Sequence, residues 1–299
     1  MFRHLTKSGV FWMILSVVAG SAMQLFIKLS GENVTVFLQI FARNLLGVFV
    51  AGAFLLREGV KPLFGEKKYQ RFLFARSLAG FLGLVTFFAS TRLGNLADVT
   101  IVNRTGPFFT TLFSVLFLKE RTKLPQWAAL AVVFIGGIIA ANPTFTTQAF
   151  PMLLAFICAV LNGVAYTLLS FFRDKVHPMT VVLHFSATCV ALSLPFVLAS
   201  WKPIPAGDVL ILFIIAVLGN LCVVSLTMAY RMAPASEVAI YDQLSIVTSL
   251  LLGWIVLNQV PGRNTLAGGA IVITASTLIY FYNRRRHRLE RAAQEAADR

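Results

Sequence analysis

The chain is laid out as ten apolar blocks separated by short polar segments, each block about 20 residues long, the length an α-helix needs to cross roughly 30 Å of hydrocarbon. The blocks predict membrane-spanning helices at Val10 to Leu29, Val36 to Leu56, Phe72 to Thr91, Val99 to Leu118 and Pro125 to Ala141. A second set follows at Pro151 to Phe171, Met179 to Ala199, Val209 to Tyr230, Ser236 to Leu257 and Asn264 to Tyr282. The first block lies behind Arg3 and Lys7, as a secretory signal would, but it runs on to Leu29, too far for a signal's apolar core, and is read as the first span.

The two sets repeat one another. Under a shift of 139 positions Arg92 meets Arg231, Asp98 meets Glu237, Val99 meets Val238, Ile101 meets Ile240, Asn103 meets Asp242 and Leu118 meets Leu257. The stripe of Gly106, Thr110 and Ser114 falls on Ser245, Ser249 and Gly253. Spacing of four puts each stripe on one helix face, where small side chains let membrane helices approach closely. Five spans per copy is an odd number, so the second copy enters the membrane from the opposite side. The expected architecture is all-α, ten helices in two inverted repeats around a central cavity, an organisation characteristic of secondary transporters. The repeats are placed at 1–145 and 146–283, with a basic tail over 284–299.

Composition agrees: of 299 residues 58% are hydrophobic and 13% charged, against about a quarter charged in soluble domains. The formal net charge of +14 would suggest nucleic acid in a soluble chain. Here the cations sit in alternate loops and in the run from Arg284 to Arg288, the positive-inside pattern, so nucleic-acid binding is excluded and both termini are placed in the cytoplasm of a cell membrane protein. Cys158, Cys189 and Cys222 each fall within a span without metal-ligand spacing, so no disulfide framework, metal or cofactor is expected.

Leu96-Ala97-Asp98-Val99, Gly106-Pro107-Phe108-Phe109, Leu118-Lys119-Glu120-Arg121 and Gly136-Gly137, with a degenerate copy from Ala235 to Ser276, resemble the EamA-like group of the drug/metabolite transporter superfamily. The resemblance implies ten helices as two inverted five-helix units and transport of small organic metabolites. Phe41-Ala42-Arg43-Asn44 and the segment from Phe74 to Gly80 look most like the branch that includes S-adenosylmethionine and riboflavin carriers. Asn103-Arg104 departs from the more apolar residues common in that branch.

An Arg near the centre of a span costs about 2.5–3.5 kcal/mol on insertion scales, so ionisable residues there need a reason. Arg43 falls about seven residues, roughly 10 Å, below the outer end of its helix, and Arg104 about five below the outer end of its own, with Asn44 and Asn103 beside them. One reading is an outer-half basic site that grips a carboxylate or phosphate through a bidentate guanidinium fork. The other is that Arg43 and Arg104 pair with Asp98 or Glu32 and tie helix ends together. Arg76 and Lys28 lie close enough to the interfaces to snorkel. In the inner half Asp242 and His184 sit at similar depth, which suits either a proton relay through an imidazole that titrates near neutral pH or a static contact with Tyr241 or Gln243. Glu237 reads as a helix N-terminal carboxylate. Gln24, Asn162 and Asn220 either line a cavity or hydrogen-bond between helices. Trp12, Tyr166, Tyr230 and Trp254 either stack on a ring-bearing solute or pack.

The substrate set is therefore Arg43, Asn44, Asn103, Arg104, Gln24, Asn162, Trp12 and Tyr166, and the coupling or gating set Asp242, His184, Tyr241, Asp98 and Glu237. Together they point to a secondary carrier for a small organic metabolite with an anionic group, working by alternating access. One chain already holds both repeats, so a monomer suffices. The competing classes are a membrane-embedded helper subunit and an intramembrane lipid-modifying enzyme. The second lacks any HExxH or GxSxG motif, and no GxxxxGK[ST] loop for a nucleotide-driven motor is present.

Overall fold

A computed structural model describes residues 9–119, 124–141, 149–172, 175–232 and 241–297, and all regular structure among them is helical. The helices are α1 (Gly9–Leu29), α2 (Val36–Glu58), α3 (Gln70–Leu93), α4 (Leu96–Asn103), α5 (Gly106–Leu118), α6 (Leu124–Ala141), α7 (Ala149–Phe171), α8 (Pro178–Ala199), α9 (Ala206–Met232), α10 (Leu244–Leu257) and α11 (Arg263–Ala297). Among the described residues eight segments are long and apolar enough to cross a membrane, counting α4 and α5 as one, and two shorter apolar helices cover Trp127–Ala140 and Leu244–Leu257. Phe49, Phe117 and Ile255 are exposed, as lipid-facing side chains should be. The last helix does not stop at Tyr282 but runs on through the basic segment to Ala297.

Local chemistry sets several helix ends. Thr35 caps α2 by accepting from the Leu38 amide at 3.2 Å, and Gly59 ends it at φ 69°, its N–H on the Leu55 and Leu56 carbonyls. The expected single span from Val99 to Leu118 is broken. Pro107 has no N–H and its ring would clash with the carbonyl four residues back, so it takes the first turn of a new helix and the break falls upstream, at Arg104 and Thr105. The second copy has no proline at the matching place, yet α10 also starts afresh, after Gln243, which the 139-residue shift aligns with Arg104.

The repeat is written into the backbone. Lys119 and Asn258, again 139 apart, end α5 and α10 in the left-handed region at φ 56° and 53°, each with its N–H on the carbonyl five residues back, Ser114 and Gly253. Helix contacts obey the same exchange: α1 packs on α9 as α7 packs on α3, α5 on α7 as α10 on α1, and α9 on α2 as α3 on α8. The pairs α2–α8 and α6–α11 map onto themselves. Each helix of the second copy runs opposite to its counterpart, so α1 and α7 point in opposite directions and the copies are inverted. At α6–α11 the backbones nearly touch: a Cβ on Gly268 would lie 2.5 Å from the Gly136 carbonyl oxygen.

One end of the bundle, where α1 meets α2, is closed by bonds between the two copies. The Gly31 amide donates to Asp208 at 3.0 Å, the Leu96 amide to Gln259 at 3.1 Å and the Thr265 hydroxyl to Asp98 at 2.5 Å. At the opposite end His177 faces Glu58 at 3.3 Å.

Candidate substrate cavity

Both helix breaks carry polar side chains, and the breaks face each other. The Arg104 guanidinium grips the Asp242 carboxylate with both terminal nitrogens, Nη2 reaching Oδ1 at 3.2 Å, and also donates to the Ser245 hydroxyl. The two side chains stay 23% and 33% exposed. Asp242 is therefore paired with Arg104 and not with His184, which meets Ser77, and Arg104 pairs across the repeats rather than with Asp98 or Glu32. The symmetry counterpart of this pair is Asn103 with Gln243. Both amide atoms of Asn103 and Oε1 of Gln243 are buried with no hydrogen-bond partner. Gln243, Tyr241, Leu244, Thr277 and Tyr280 line a recess of about 370 Å³ between α10 and α11, the size of a small-solute pocket.

Two further arginines lie inside the bundle, one on α2 and one on α3. Nε and Nη1 of Arg43 and of Arg76 are buried without a hydrogen-bond partner. Each is seated against a glycine-made space. Arg43 lies across Gly219 of α9, where a Cβ would come within 2.6 Å of Nε, and Asn220 donates to the Arg43 carbonyl at 3.0 Å. Arg76 stacks its guanidinium 4.3 Å from the Phe185 ring centre, and Phe185 in turn fills the space at Gly80, where a Cβ would lie 2.7 Å from the ring. Arg76 thus does not snorkel. Its position six residues into α3 reads as snorkelling, and the ring on α8, which that position does not reveal, is what holds it inside.

Tyr166 joins these groups. It is 49% exposed, yet it lies two turns from Ala159, on the same helix face, and Ala159 is 0% exposed, whereas the exposed Phe150, Leu153 and Ile157 point elsewhere. Its surface therefore opens to the interior of the bundle. The Tyr166 ring lies within electrostatic range of Arg76, Arg104 and Asp242, and Arg43 within range of Tyr166. Cys189 of α8 lies within range of both Arg43 and Arg76. Arg43, Arg76, Tyr166 and the Arg104–Asp242 pair are thus gathered within electrostatic range of one another inside the bundle.

The remaining sequence candidates lie elsewhere or are already satisfied. Gln24 accepts from Thr100 at 3.0 Å, and Thr100 also reaches Ser249 at 3.0 Å, a polar tie between α1, α4 and α10. Asn44 donates at 2.8 Å to the Ile40 carbonyl of its own helix. Asn162 reaches Cys158 at 3.3 Å and closes on Gly83 of α3. Trp12 and Tyr241 pack on Met13 and Ala229. Asp98 accepts from Thr265 and Asn95, a clasp at the bundle end. His184 meets Ser77 at 2.9 Å and the edge of Phe64. Lys28 donates to the Arg92 and Gly94 carbonyls, which fixes the α3–α4 corner rather than a solute. Glu237 lies outside the described residues.

A model of the EamA-like transporter family matches the chain twice, over residues 7–141 and 149–281. The chain belongs to the EamA-like transporter family. Relatives cover more than nine tenths of its length. The S-adenosylmethionine uptake transporter of Rickettsia conorii is 27% identical over 283 residues, 93% of this chain and 94% of that protein. The pseudopaline exporter CntI of Pseudomonas aeruginosa is 27% identical over 288 residues, 92% and 96% of the two chains. A solved crystal structure superposes with a TM-score of 0.66 at 19% identity, covering 93% of this chain and 98% of its own, so the fold is shared. This EamA-like chain is thus a multi-pass membrane protein of a transporter family, with relatives named for uptake and for export.

Proposed function

We propose that the chain is a secondary carrier that moves a small organic metabolite bearing an anionic group across the inner membrane by alternating access, without enzymatic activity. The observation that carries this reading is Arg43, whose Nε and Nη1 are buried inside the bundle with no hydrogen-bond acceptor, with Tyr166 within electrostatic range. A buried guanidinium without an acceptor is costly, and an incoming carboxylate supplies one. Substrate contacts fall to Arg43, Asn103 and Tyr166, with Arg76 added. Arg104 and Asp242 serve as the gate, because they already satisfy each other.

The asymmetry at the two breaks supports the alternating-access reading. When the copies exchange conformations, every contact between them is replaced by its counterpart. The Arg104–Asp242 pair then opens and Asn103 closes on Gln243, the two groups now left without partners. The positive-inside pattern puts the Glu58 end, with Arg57, Lys61, Lys67, Lys68 and Arg71, in the cytoplasm. The bonds from Gly31 to Asp208 and from Asp98 to Thr265 then close the outer face.

Thermal unfolding of the purified chain against amino acids, organic anions, nucleosides, S-adenosylmethionine and riboflavin tests the proposal. A solute at 100 times its Kd stabilises the folded state by about 2.7 kcal/mol. Saturable flux of that solute into proteoliposomes, lost in Arg43→Gln, is the expected outcome. A solute that protects Arg43→Gln as well as wild type removes Arg43 from the site, and a chain that carries none of the panel is not such a carrier.

A further inference from the structure

Resting on the carrier reading, we infer that the transported solute is an organic dianion with its two negative groups at opposite ends of the molecule. The charge inventory of the interior space carries the inference. Arg43, Arg76 and Arg104 bring three positive charges, and Asp242 alone answers them, on Arg104. Among the described residues no carboxylate pairs with Arg43 or Arg76. The other titratable groups that face the two arginines, Tyr166, Cys189, Cys222 and His184, bring no negative charge at neutral pH. Two positive charges are left over. The half-helices α5 and α10 also begin at the breaks, so their positive N-terminal ends add to the same potential.

Geometry separates the two seats. α2 and α3 run antiparallel, and Arg43 sits seven residues from the start of α2 while Arg76 sits six from the start of α3. At 1.5 Å per residue each approaches the bundle centre from a different end, by roughly 10 Å. Cys189, halfway along α8, lies within electrostatic range of both. The arginines therefore flank the middle of the bundle from opposite sides, and a molecule lying between them meets one at each end. Neither guanidinium is held by an anion, Arg43 lying across Gly219 and Arg76 on the face of Phe185, and Nε and Nη1 of each are buried without an acceptor. Separated carboxylates answer this arrangement better than one phosphate group, whose two charges share a single centre.

The test is thermal stabilisation and proteoliposome counterflow of the full chain with a charge series: propionate, succinate, glutarate, glycerol 3-phosphate and S-adenosylmethionine. Wild type is expected to favour the dicarboxylates over propionate by at least tenfold in affinity, the size of one charge-assisted hydrogen-bonded contact. In Arg76→Gln that preference collapses while propionate still binds through Arg43, and in Arg76→Lys it survives, which a merely structural arginine would not produce. If glycerol 3-phosphate alone is preferred, the separated-seat arrangement is overturned. If propionate or S-adenosylmethionine is carried as well as succinate, the dianion assignment fails while the carrier reading stands. If no member of the series binds or moves and another solute does, the dianion assignment fails alone. Failure of all solutes removes both.

Discussion

Replacing Asp242 by Asn is the most informative single change, because among the described residues it removes the one carboxylate paired with an arginine inside the bundle. The perturbation leaves shape almost unchanged and strands Arg104, which loses both carboxylate contacts and keeps Ser245. Breaking a fully buried ion pair costs about 3–5 kcal/mol, and a solvent-exposed one about 0.2–1 kcal/mol. With side chains 23% and 33% exposed, and with bidentate geometry, this pair falls between them. The expected loss in Asp242→Asn is about 2–3 kcal/mol, and Arg104→Gln should lose a similar amount. In the double variant the amides can bond each other, so the losses should not add, and the coupling energy should be about 1.5 kcal/mol. Thermal or denaturant unfolding of the four purified proteins in one detergent measures it. A coupling below about 0.5 kcal/mol, the level of an exposed pair, would refute the view that the two breaks are locked together by this contact.

Other outcomes follow from the same structure. Gly219→Ala should leave stability within about 1 kcal/mol, because alanine is the better helix former, yet weaken solute binding by displacing Arg43, read as a smaller ligand-induced rise in melting temperature than wild type shows. Gly268→Leu should destabilise by about 1–3 kcal/mol or more by prising α6 from α11, measured by unfolding, and a neutral result would show that the contact at the Gly136 carbonyl is dispensable. With the three native cysteines replaced by alanine, a cysteine pair at 103 and 243 should crosslink faster while solute is being exchanged than at rest, and a yield indifferent to solute would remove the exchange of the two contacts.

The hydrophobic pattern was enough for the ten-helix plan and its inversion, because in hydrocarbon each helix must satisfy its own backbone and each crossing must be apolar. Those demands act residue by residue along the chain, so span lengths, the 139-residue repeat and the family motifs can all be read from order alone. The pairing of the buried charges could not. Arg104 and Asp242 were placed in opposite halves because each was counted from the end of its own span, whereas both belong to breaks that the inverted packing brings face to face. Arg76 and Lys28 carry the same kind of local signal and end in different roles, one stacked on Phe185 inside the bundle and the other clasping a corner. Gln24 reads like a cavity residue until Thr100 and Ser249 close around it. The order of residues determined which side chains entered the membrane; what each of them met there depended on neighbours up to 227 positions away, as for Ser21 and Thr248. Only the packing of one copy against the other decides whether a buried polar group is answered by protein or left for a solute.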